Sequence, residues 1–119
     1  MKSEDFIEGI RQKRDYFASG VIENLISPPG RKPHQKDINL SEFYNSLSDA
    51  QKQKVNDIIY ESTDSAIFHL LCILDNVSFL EDTNEKTRFE LYSVKGEERI
   101  LINDSSKKDL HDMYNSLVD

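Results

Sequence analysis

Ser65, His69, Cys72 and Asn76 are the side chains best suited to chemistry by type, and they follow one another at steps of four, three and four residues. On a helix such steps return to one face, so the four form a polar stripe. A cysteine nucleophile needs a base and an orienting group, roles that suit His69 and Asn76 by type. Neighbours on one helix face, however, project side by side rather than converging. The stripe therefore reads first as a seam of small and polar residues with Cys72 as a small hydrophobe, and no catalytic residue is assigned.

A second cluster is Asp109-Leu110-His111-Asp112, which sets an imidazole between two carboxylates on the polar side of a final helix. Solvation or pairing with the helix dipole is the ordinary role of such a histidine. No H-E-x-x-H or cysteine pair is present, and Asp82-Thr83-Asn84 starts like a calcium loop but reaches Lys86 where an oxygen donor is needed. Gly30 and Gly96 stand apart from other glycines, so no loop cradles a phosphate. Neither a metal nor a cofactor is expected.

Charge gives the clearest signal. The 119 residues hold 22 Asp and Glu against 15 Lys and Arg, a net charge of -7. Residues 1–38 contain seven basic and six acidic side chains, and residues 39–119 contain eight and sixteen, so the acidity belongs to the second part. Between positions 55 and 85, Asp57, Glu61, Asp64, Asp75, Glu81, Asp82 and Glu85 occur with no lysine or arginine. Asp57, Glu61 and Asp64 are spaced i, i+4, i+7 and share a helical face, where like charges repel by a few tenths of a kcal/mol per pair. With Tyr60 beside them they form the candidate partner-binding surface, because complementary charge steers association with a basic protein. The same balance opposes general nucleic-acid binding, which depends on neutralising phosphates.

The elements that must position these groups follow from periodicity. Ser3 precedes Glu4 and Asp5, and apolar residues recur from Phe6 to Leu25, so residues 1–26 read as an N-terminal amphipathic helix capped by Ser3 and liable to bend or break near Gly20. Residues 27–38, with Pro28, Pro29 and Pro33 and basic Arg31, Lys32 and Lys36, read as an exposed loop. Asn39 or Ser41 is then the expected cap of a short helix, and Ser48-Asp49-Ala50-Gln51 has the spacing of a capping box for the next. Ser62-Thr63-Asp64 offers a fresh start before Ala66–Leu74, a run apolar on nearly every side and expected to be the central buried element, Leu70 included. Helix is favoured there over a buried strand.

Beyond Asn76 the period changes to two. Residues 77–79 and 87–94 read as strands, Lys95-Gly96-Glu97 as a turn, and residues 99–102 as the returning strand. Asp104-Ser105-Ser106 is the expected cap for a last helix carrying Leu110, Met113, Tyr114 and Leu117. The fold expected is α+β in a single domain, 1–119: a helical body of four to five helices packed on a two- or three-stranded antiparallel β-meander, with a C-terminal helix and an acidic body over 39–119.

No apolar run approaches the roughly 20 residues that span a bilayer. No leader-like segment opens the chain, and the lone Cys72 forms no internal disulfide, so a soluble cytoplasmic protein is expected. In size and acidity the chain resembles the bacterial immunity proteins that neutralise toxins, a resemblance that implies a cationic enzyme as partner. The leading expectation is a non-enzymatic protein-binding module presenting an acidic surface to a basic partner. Two alternatives stand beside it: a small enzyme or ligand-binding domain built on a His/Cys/carboxylate cleft, and a subunit that self-associates through the first helix.

Overall fold

The computed structural model describes residues 1–118. It is an α+β fold of four helices and one two-stranded antiparallel sheet: α1 (Ser3–Ile26), α2 (Gln35–Ser46), α3 (Asp49–Leu74), β1 (Tyr92–Lys95), β2 (Glu98–Leu101) and α4 (Leu110–Val118). Two compact units emerge, one made of Met1–Lys13 with the chain from Asp64 onward, the other of Arg14–Thr63. No helix among the described residues is long and apolar enough to cross a membrane.

The first unit owns the hydrophobic core. Ile7 of α1, Leu71 of α3, Ile102 just after β2, and Leu110 and Tyr114 of α4 are buried against one another. Phe6, Ile10, Ile67, Leu74, Leu91, Met113 and Val118 pack around them. Ile67, Leu71 and Leu74 fall at i, i+4, i+7, the spacing that puts them on one face of α3. The hairpin enters this core through the residues that flank its strands. Ile102 donates its backbone N–H to the carbonyl of Leu91 at 2.7 Å, one step beyond the Tyr92–Leu101 pair. The turn between Lys95 and Glu98 places Gly96 at φ +61°, a conformation that glycine adopts without steric cost.

The second unit is held by polar fastenings as much as by apolar burial. Ala18, Ser41 and Tyr44 are its buried residues. The Ser41 hydroxyl and the Asn45 amide both donate to the carbonyl of Ile26 at the end of α1, at 3.5 and 3.1 Å. Those donors satisfy a carbonyl that has no partner inside its own helix. Tyr44 donates its hydroxyl to Asn56 Oδ1 at 2.8 Å, tying α2 to α3.

Several local expectations are corrected. α1 runs through Gly20 without a break, and Ser3 does not cap it. Its buried hydroxyl instead donates to the carbonyl of Ile102 at 2.7 Å. α2 starts at Gln35, which shortens the loop and leaves Asn39 and Ser41 inside the helix. Gln35 and Asn39 pair across one turn at 2.8 Å, a local contact that supports the earlier start. The capping box is present: Ser48 N–H donates to Gln51 Oε1, and Gln51 N–H to Ser48 Oγ. No fresh start occurs at Ser62-Thr63-Asp64, because Thr63 bonds back to the carbonyl of Ile59 at 2.8 Å and the helix continues.

The largest correction concerns residues 66–74. They are helical, but only Leu71 is buried; Ala66, His69 and Leu70 are exposed, Leu70 to 57%. Apolar character on every side of the helix is therefore met by a core on one side. Residues 77–79 and 87–91 are not strands. Asn103 takes the place of a continued ladder around Phe89 and Leu91, accepting from Leu91 N–H at 2.9 Å and donating to the carbonyls of Phe89 and Leu74.

Candidate functional site

The polar stripe is divided by its surroundings. Ser65 and His69 are exposed, and the His69 Nδ1 lies 2.7 Å from the carbonyl of Ser65, which fixes that nitrogen as the donor. Asn76 has a structural task. It adopts φ +59° just beyond α3, accepts from Phe89 N–H at 2.9 Å and donates to the Phe89 carbonyl at 3.3 Å. A left-handed asparagine is a common helix stop, and here it also holds the returning chain. Its amide is thus committed to the backbone and does not orient His69.

Cys72 is half-buried, and its thiol is pushed above the ordinary value of 9.0 by burial and then by the carboxylates of Asp75, Asp112 and Asp109. A nucleophilic cysteine requires the opposite shift. At neutral pH this side chain stays a thiol, and the stripe lacks an activated nucleophile.

The acidic positions are also separated by structure. Asp57 and Glu61 are exposed on α3, Asp57 accepting only from Gln53 one turn earlier, at 2.9 Å. Exposed Ile58 lies next to them. Tyr60 is half-buried beneath the Arg14 guanidinium, 4.8 Å from its ring centre. Asp64 turns toward the core, where it accepts the hydroxyl of buried Tyr114 at 2.7 Å. A phenol can sit in an apolar core only when its hydroxyl finds such a partner.

Sequence reasoning missed the role of Asp75, which was one acid among seven in the cation-free stretch. Its side chain is only 3% exposed and accepts three hydrogen bonds from α4: Leu110 N–H at 3.0 Å, His111 N–H at 2.9 Å and His111 Nδ1 at 2.6 Å. A carboxylate at a helix N-terminus satisfies amides that have no helical partner and meets the positive end of the dipole. The expected cap, Asp104 with Ser106, closes a local turn instead, with Ser106 N–H and hydroxyl both bonded to Asp104 Oδ1. No local spacing could reveal the Asp75 cap, because it joins positions 35 and 36 residues apart.

Around that cap the groups with metal-ligand chemistry converge. Donor atoms of Asp109, His111 and Asp112 lie within 4.8 Å of one another. Phe68 stands edge-on to the His111 ring at 5.6 Å and to His69 at 5.4 Å, holding the imidazole from the α3 side. No family model matches this chain, and no curated protein or solved structure is detectably similar to it.

Proposed function

We propose that this protein is a non-enzymatic binding module that presents the acidic face of α3 to a basic protein partner. The observation that carries the reading is the exposure of Asp57 and Glu61 on either side of Ile58, itself 63% exposed, inside a stretch without lysine or arginine. An apolar side chain ringed by charge combines burial on docking with electrostatic steering. Tyr60, positioned by Arg14, borders the face. Asp64 belongs to the first unit, supports its core through Tyr114 and is less available to a partner.

The immunity-protein likeness in size and charge makes a cationic enzyme the partner class to test. Affinity capture at low and then high salt, with wild type and the Asp57→Asn/Glu61→Gln variant, is the direct experiment. Salt-sensitive recovery of one basic protein by wild type alone supports the reading. Equal recovery by the variant moves the interface elsewhere.

A further inference from the structure

We propose that Asp109, Asp112 and the Nε2 of His111 form a binding site for a divalent transition-metal cation of the zinc type. The site is independent of the acidic face of α3. Its geometry starts from the buried Asp75, which accepts the proton of His111 Nδ1 at 2.6 Å. That bond commits Nδ1 to Asp75 and leaves Nε2 as the ring nitrogen open to a ligand. Nε2 then faces Asp112 Oδ1 at 3.5 Å. A cation seated between that nitrogen and that oxygen would take both as ligands.

Two further observations point the same way. The half-buried Asp109 carboxylate makes no side-chain hydrogen bond or ion pair among the described residues, although one of its oxygens lies within 4.8 Å of a His111 ring nitrogen and of an Asp112 carboxylate oxygen. No lysine or arginine pairs with Asp75, Asp109 or Asp112 among the described residues, so three carboxylates gather there with only the imidazole for company. This negative field is strong enough to add to the upward push on the Cys72 thiol. It also opposes the helix dipole, which by itself disfavours a cation at the start of α4.

The donor set selects the class of ion. One imidazole nitrogen and two carboxylates suit zinc, cobalt or nickel, whereas calcium and magnesium prefer oxygen donors throughout. A carboxylate behind the ligating histidine is the usual outer support of such a site, and Asp75 fills that place. Bound metal would tie the first turn of α4 to itself across Asp109 and Asp112, so folding and metal affinity should be linked.

The test is calorimetric titration of the full-length reduced protein with zinc chloride and, separately, calcium chloride. Asp109→Asn/Asp112→Asn is the principal variant, because it leaves the Asp75 cap in place. Nitrogen-15 NMR of the histidine rings locates the ion. The expected result is saturable one-to-one zinc binding, a zinc-induced shift at His111 Nε2, no calcium binding, and affinity at least about tenfold weaker in the double variant with unchanged circular dichroism. Asp75→Asn should weaken zinc by a similar factor if it remains folded. Absence of zinc binding up to about 1 mM overturns the proposal. So does undiminished binding in the double variant, or a zinc shift confined to His34 or His69. Loss of zinc binding on Cys72→Ser, with retention in the double variant, would place the ion on the thiol and likewise reject this site.

Discussion

Asp57 and Asp75 come from the same cation-free stretch, eighteen residues apart, yet they live under opposite conditions. Asp57 stands in water with a single contact to its own helix, whereas Asp75 is buried and holds the start of α4 through three hydrogen bonds. A third acid of the stretch, Glu81, lies between these extremes. Its carboxylate accepts both the N–H and the hydroxyl of Thr87, at 2.8 and 2.6 Å, and is held below its ordinary value of 4.5 chiefly by those bonds. Acidic composition therefore has three physical meanings in one segment: a surface, a fold fastening and a loop clasp. Substitutions at the three positions should separate them.

The largest effect is expected at the buried member. Asp75→Ala leaves the Leu110 and His111 amides and the His111 ring N–H without their acceptor, and should destabilise by about 3 kcal/mol in denaturant unfolding. A loss under about 1 kcal/mol would show that water replaces the carboxylate at little cost. The apolar counterpart of this comparison is Leu71 against Leu70. Leu71→Ala empties a position 3% exposed and should cost about 2–4 kcal/mol, while Leu70→Ala, at 57% exposure, should cost under about 1. Equal losses would mean that α3 is buried on both sides in solution.

Smaller effects sharpen the contrast from the surface. Asp57→Asn/Glu61→Gln should leave stability within about 0.5 kcal/mol of wild type and change only partner binding and its salt dependence. At Glu81, a lowered folded value means that the contribution to stability is present above its unfolded value. That contribution is lost as pH falls through the folded one. Thr87→Val removes one of the two bonds and should move the Glu81 titration, followed by carbon-13 NMR, up toward 4.5. An unmoved titration would assign the shift to the Thr87 backbone amide alone.

Much of the architecture was legible because its causes are local. The Ser48/Gln51 box, the apolar spacing of Leu110, Met113 and Tyr114, the alternation around Gly96 and the first helix all act within a few residues. Where reading failed, the winning interaction was distant or the pattern was symmetric. Ser3 looked like a cap and became a bridge to Ile102, 99 positions away. Residues 66–74 carry apolar groups all around, so periodicity could not say which side would meet the core.

The sequence by itself determined that the chain forms amphipathic helices and a hairpin, and that its negative charge concentrates beyond residue 38. Those properties follow from backbone preferences and composition, which need no knowledge of distant neighbours. Only the tertiary structure decided which acid would be buried, that Asn76 would serve the backbone of Phe89, and that Asp75 would orient His111 beside Asp109 and Asp112. A carboxylate or amide is equally at home in water or against a backbone amide. Its role is set by which donor the folded chain brings within hydrogen-bonding distance.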